Sequence, residues 1–389
     1  MPSKRALEQH IAVFGESGSG KTVLLSSFYG AAQEPNNIKA SRFNVVAENP
    51  TQGTQLSQNY LGMKKSAKLP AATHLSAKSY SFLIKLKDGP GAKAANGTAY
   101  DALRLVWHDY PGEWFEQDVS GPEEAQRRVD TFRALLGSDV ALLLVDGQRL
   151  LENLGEEERY LKSLLTNYRS QLLLLKDELL VDGKPLVRFP RIWIMALSKS
   201  DLLPSLNVTE FKELLQEKVG GEINDLHDTI SSMVEGSDAL SVGEDFVRLS
   251  SAEFSTEKIE VTKRVGLNLI LPLAAVLPFE RHLHWAKIMK VPKKVAVELM
   301  VVVEELAVAV GVFGLIAAKL IGSKNKALGV LGILLSRFGP DAAKLVKNKL
   351  IQANSNAQTK ENNLTATLAG FRNDLEKGQM EQILLTSDR

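Results

Sequence analysis

The chain has 389 residues, 44% hydrophobic and 24% charged, a composition that excludes general disorder and gives room for more than one domain. A formal net charge of +1 supplies no overall pull toward nucleic acid or an anionic membrane, so no nucleic-acid partner is expected. With no cysteine, disulfides, thiolate catalysis and Cys-built zinc sites are excluded. No apolar secretory stretch precedes the first strand-like run, which points to the cytoplasm.

From about residue 10 to 290, apolar strand-like runs alternate with helical patterns, the habit of a mostly parallel sheet with crossover helices. Six strands are predicted: Ile11 to Phe14, Tyr80 to Leu86, Leu103 to Trp107, Val140 to Val145, Arg191 to Ala196 and Phe246 to Leu249. Helical spacing marks Thr22 to Ala32, Glu123 to Leu136, Gln148 to Leu179 and Thr209 to Met233. Only the loop Asp88 to Ala99 separates the second and third strands, so these form an antiparallel hairpin. Residues 31–75 are polar and too long for a passive connection, which predicts a functional loop.

The expected division is an α/β domain over residues 1–290 and an α-helical module over residues 291–389. Lys293 to Ala318 and the second apolar series to Leu335 read as a helical hairpin, followed by a polar tail. The uncharged stretch Leu306 to Ala318 is shorter than the roughly 20 residues of a transmembrane helix. Docking on the protein's own core is favoured over peripheral membrane contact, because Glu298, Glu304 and Glu305 are costly in hydrocarbon. His282 and His284, two apart on a helix, point to different faces and do not make a metal site. Trp107, Trp193 and Phe82 are core candidates.

The chemistry begins at Gly15-Glu16-Ser17-Gly18-Ser19-Gly20-Lys21-Thr22, a complete phosphate-binding loop between a strand and a helix. Its glycines let successive N–H groups point at phosphate oxygens, and the helix adds the positive end of its dipole. Lys21 reaches the β- and γ-phosphates, and the Thr22 hydroxyl suits Mg²⁺. Asp109, ending a strand, and Gly112, three residues on, fit a second station: a carboxylate that holds the metal through water and an N–H for the γ-phosphate.

Ser198-Lys199-Ser200-Asp201 and Ser251-Ala252-Glu253 follow the last two strands. With them the chain resembles the Ras-like, translation-factor-related GTPases, and within these the bacterial double-GTPase type of conflict systems, which share the Tyr110-Pro111-Gly112-Glu113 kind of switch. The resemblance implies a GTP-binding protein that hydrolyses GTP to GDP with Mg²⁺ and acts as a nucleotide-dependent switch toward a protein partner. It implies that Asp201 accepts from the guanine ring, Lys199 lies along the base, and the Ala252 N–H meets the guanine oxygen. Ser198 stands where the family has Asn or Thr, and Glu253 where it has Lys. The resemblance also implies a metal-binding Thr before the second strand, met by Thr73, with Thr51 and Thr54 as rivals. Glu113 takes the place of the water-orienting Gln, so turnover is expected to be slow; His108 is a second acceptor near that water. An ATPase or small-molecule kinase, or a nucleotide-binding scaffold with little turnover, are the alternative readings.

Overall fold

The structure, a computed structural model, describes residues 7–70, 78–87, 102–109, 111–115, 121–187, 189–255, 258–288 and 358–387. Its sheet is built on β1 (Leu7–Phe14), β4 (Ala102–Asp109), β5 (Val140–Asp146), β6 (Ile192–Ser198) and β7 (Ser241–Arg248), all mutually parallel. Every residue of β5 and β6 is buried. Central parallel strands are covered on both faces, which is why these two segments read as unbroken apolar runs. The hairpin predicted before residue 110 is present, with β3 (Lys78–Leu86) antiparallel to β4.

Alternate β1 residues serve two cores. Ile11 and Val13 belong to one cluster, with Leu24 and Leu25 of α1 (Lys21–Ala32) and Leu271 of α8 (Ile270–Ala275). Ala12 and Phe14 face the other, which holds Phe132 of α4 (Pro122–Leu136), Leu161 of α6 (Glu157–Leu179) and Phe211 of α7 (Val208–Ser231). The result is a three-layer α/β/α arrangement. Trp107, Trp193 and Phe82 are all in the core.

The sheet has eight strands, not six, in the order β10-β7-β6-β5-β1-β4-β3-β2. The two extra strands are β2 (Phe43–Ala47), antiparallel to β3, and β10 (Leu384–Leu385), antiparallel to β7. A separate two-stranded ribbon pairs β8 (Glu253–Phe254) with β9 (Ile259–Glu260). The long polar stretch is therefore not a loop over its described part. It contains α2 (Pro35–Ala40), β2 and α3 (Pro50–Ser66). Asn49 caps α3 by accepting from the N–H groups of Thr51 and Gln52, and Pro50 occupies the first turn, where a missing N–H costs nothing. Leu56, Tyr60 and Met63 give α3 a narrow buried stripe. Tyr60 packs so tightly on α1 that a Cβ at Gly30 would lie 2.1 Å from its ring.

The single helix expected over Gln148 to Leu179 is two, α5 (Gly147–Glu152) and α6, broken where Gly155 takes φ +85°. At the other end of the chain, α10 (Gln358–Met380) leads into β10, and its Leu368, Phe371 and Leu375 enter the same core as α8 and α9 (Leu277–Ile288). A buried pair ties these parts together. Arg281 Nη2 donates to Asp245 Oδ1 at 2.7 Å, and that carboxylate also accepts from Ser241 Oγ and the Ser387 N–H. Residues 358–387 of the expected polar tail are thus docked on the α/β body. The apolar hairpin to Leu335 lies outside the described residues. Among the described residues, no helix is long and apolar enough to cross a membrane.

Candidate functional site

Parallel pairing brings the loops after β1, β4, β5, β6 and β7 to one end of the sheet. Val13 is in register with Asp109, Asp146 with Ser198, and Leu197 with Arg248. Apart from the rivals Thr51 and Thr54, every sequence-predicted site residue that is described lies in one of these loops or at its borders.

Gly15–Gly20 joins β1 to α1. Gly18 and Gly20 have φ of +79° and +92°, which lets the chain curl while leaving open space where side chains would stand. Gly15 is closely packed: a Cβ there would lie 2.5 Å from Ser19 Oγ and 3.1 Å from Leu144 Cβ. Ser19 is buried, and its hydroxyl has no hydrogen-bond partner among the described residues. Lys21 Nζ folds back over the loop, donating to the carbonyls of Gly15 at 2.6 Å and Glu16 at 3.0 Å. An ammonium so placed is held against the carbonyls at the start of the loop. Glycine-made space, a buried ammonium and a helix N-terminus together fit a phosphate group.

Gly112 rests on this loop. A Cβ there would stand 2.3 Å from Ser17 N and 2.4 Å from Glu16 C, so only glycine permits the approach. Asp109 is buried at the end of β4. With the half-buried Thr22 on the first turn of α1, it offers hard oxygen donors that suit Mg²⁺. Thr73 and the Glu113 side chain lie outside the described residues, and the rivals Thr51 and Thr54 are in the first turns of α3. Among the described residues, no group of three or more His, Cys, Asp or Glu side chains gathers as a metal site.

His108 is committed elsewhere. Its Nε2 lies 2.9 Å from His10 Nδ1, and its Nδ1 lies 3.2 Å from Ser79 Oγ, in a chain of contacts across three strands. Burial, then the neighbouring His10, pushes its pKa down to about 4, so it is neutral at physiological pH.

Three elements form the opposite side of the site. Ser198 is fully buried and its hydroxyl donates to the Val145 carbonyl at 3.2 Å. Lys199 takes a left-handed conformation, φ 50°, and its Nζ donates to Asp146 Oδ2 at 2.8 Å and Gln148 Oε1 at 3.1 Å. Asp201 accepts from Ser250 Oγ at 2.7 Å and from the Phe254 N–H at 3.2 Å. Ser250, the residue before the Ser251-Ala252-Glu253 motif, is a hydroxyl that reaches this carboxylate. Ala252 is fully buried beside it. Sequence reasoning also missed Asp146, Gln148 and Arg149. The signal was a polar Asp146-Gly147 ending the apolar run of β5, as Asp109 ends β4.

This strand order, with a phosphate loop after β1 and an acidic strand end beside it, defines a Ras-like P-loop nucleotide-binding fold. The chain belongs to the Double-GTPase 2 family, whose profile matches residues 9–250. Among solved structures it is similar to the GTPase-like domain of S. cerevisiae Ski7, with GTP bound (12% identity, TM-score 0.30) and with GDP and inorganic phosphate bound (13%, 0.29). Each match covers 64% of this chain and 44% of the Ski7 chain, so the chain spans less than half of that length. It is also similar to Methanosarcina barkeri Roco2 RocCORdC bound to GDP, at 13% identity and TM-score 0.23, covering 78% of this chain and 68% of that one. No curated protein matches.

Proposed function

We propose that this protein binds guanine nucleotide with Mg²⁺ and hydrolyses GTP to GDP as a switch. The observation that carries the reading is the contact between Gly112 and the Glu16–Ser17 peptide, which puts the candidate switch segment directly on the candidate phosphate loop. A γ-phosphate bound in the loop would meet the Gly112 segment first, and its loss would release it.

In this reading the N–H groups of Gly15 through Thr22 and the Lys21 ammonium hold the phosphates. Thr22, Asp109 and Thr73 would hold Mg²⁺, which would neutralise phosphate charge as the bond to the γ-phosphate breaks. Asp201 selects guanine by accepting from the N1–H and the 2-amino group of the base; its two present partners leave acceptor capacity on both oxygens. Lys199 and Ala252 flank the base, with Ser198 and Ser251 at its rim. Glu113 orients water less well than a neutral amide beside a triphosphate, so slow turnover follows. The output passes toward residues 291–389 and a protein partner, in the cytoplasm where GTP is held.

Phosphate release from GTP by the full chain, with Mg²⁺ and with Lys21→Ala as the control, tests this. Release that is slow and depends on both Lys21 and Mg²⁺ is expected. Release no faster than in buffer, at nucleotide-saturated protein, would reduce the protein to a nucleotide-binding scaffold.

A further inference from the structure

Two donors from the loop after β7 place the Asp201 carboxylate, the Ser250 hydroxyl and the Phe254 N–H. That loop is fixed at its Ser250 end, where Ser250 and Val265 exchange backbone hydrogen bonds of 2.9 and 3.0 Å. Its other end runs into the β8–β9 ribbon, in which Phe254 pairs with Ile259. The Phe254 N–H stands 3.2 Å from Asp201 Oδ2, at the long limit for such a bond, so a small outward shift loses it.

A small apolar cluster, separate from the two main cores, lies under this end. Tyr60 and Met63 of α3 join Ala252 and Val261 in it, and Phe254, Ile259 and Val23 of α1 pack against them. Met63 and Ala252 are fully buried. α3 is in turn fixed along α1 and its exit. Asn59 Nδ2 donates to Ser26 Oγ at 3.2 Å, the Tyr60 ring lies on Gly30, and Lys64 Nζ meets Glu34 Oε1. Leu56, one turn before Tyr60, belongs to the main core instead. The buried stripe of α3 therefore meets the main core at its start and the loop after β7 at its end.

We propose that Tyr60 and Met63 are positioning residues for base recognition, holding the Ala252–Phe254 segment where Asp201 can meet guanine. The inference rests on the reading of Asp201 as the guanine acceptor. It gives the long polar stretch before β3 a part in choosing the base. A cavity beneath Ala252 and Phe254 lets the segment settle toward α3 and draws the Phe254 N–H off the carboxylate. Asp201 then loses its alignment with the base, whereas the phosphates are held by Gly15 through Thr22.

The test is titration of the full chain with GDP and with ADP, each with Mg²⁺, in the parent, Met63→Ala, Met63→Leu and Leu56→Ala, with melting temperatures alongside. Met63→Ala is expected to weaken GDP about tenfold, the equivalent of one charge-assisted hydrogen bond, and to leave ADP within about twofold of the parent. Met63→Leu nearly keeps the volume and should keep the parent's preference. Leu56→Ala opens its cavity under the same helix but in the main core, so it should lower the melting temperature and leave the preference intact. Val261→Ala, a smaller deletion in the same cluster, makes the comparison if Met63→Ala does not fold. An unchanged GDP-to-ADP ratio, equal losses of both nucleotides, or a loss of preference as large in Leu56→Ala overturns the inference while the guanine reading stands. A parent chain with no preference for GDP over ADP overturns both.

Discussion

Ser250 presents its hydroxyl to Asp201 at 2.7 Å, and the same oxygen lies 2.6 Å from the Ala252 carbonyl. Its single proton serves one acceptor at a time, so the serine ties the carboxylate to the loop that follows β7. Ser250→Ala removes that tie. A neutral donor to a charged acceptor contributes about 1.5 kcal/mol, so guanine-nucleotide affinity should fall about tenfold while ATP affinity stays as it was. Equal losses for both nucleotides in a titration series would contradict a role for Asp201 in reading the base.

Gly112→Ala should be the most damaging one-atom change in the site. The added methyl would stand 2.3 Å from Ser17 N, against backbone that cannot swing away as a side chain does. Either the loop or the segment after β4 must move, at a cost of about 1–3 kcal/mol. Turnover of GTP should drop more than tenfold with a smaller change in GDP affinity. Unchanged turnover would mean that the Gly112 approach is incidental to the reaction.

The packing of α3 on α1 gives a test of the fold in the stretch expected to be a loop. Gly30→Ala would drive a methyl into the Tyr60 ring, and should destabilise the chain by roughly 1–3 kcal/mol in denaturant unfolding. A neutral substitution would show that residues 50–66 do not pack as described.

Stability should depend on pH through His282. It is buried, neither ring nitrogen has a hydrogen-bond partner among the described residues, and burial, then Arg191 and Arg281, push its pKa down to about 3 from the ordinary 6.5. The unfolded chain takes up this proton more readily than the folded one. The histidine's contribution is therefore intact above pH 6.5 and is lost progressively as pH falls toward 3, at about 1.4 kcal/mol per pH unit. His282→Leu should flatten that acid limb in melts taken between pH 7 and 4.5. An unchanged slope would remove His282 from the account.

Legibility followed burial. β5 and β6 were evident because strands covered on both faces are apolar throughout, and the phosphate loop because its chemistry demands a fixed spacing of glycines, Lys21 and Thr22. α3 was hidden by its composition: Leu56, Tyr60 and Met63 are buried among Gln, Ser, Asn and Lys, and Asn49-Pro50, the start signal, looks equally like a turn. Two-residue β10 exists only by pairing with β7, which no local pattern announces. Ser250 was missed because it lies just outside the Ser251-Ala252-Glu253 motif, in the loop after β7. Arg149 was missed because its partner, Glu16, is 133 residues away.

The central claim is that Gly15 through Thr22 and Asp201 form one site for a guanine nucleotide. Equilibrium titration of the full chain with GDP, a non-hydrolysable GTP analogue and ATP, each with Mg²⁺, in the parent and in Lys21→Ala, tests it most directly. The expected result is saturable binding of both guanine nucleotides at least tenfold tighter than ATP, abolished in Lys21→Ala with the melting temperature of the unliganded protein preserved. Equal affinity for ATP and GTP would contradict the role of Asp201, and binding that survives Lys21→Ala would contradict the phosphate loop.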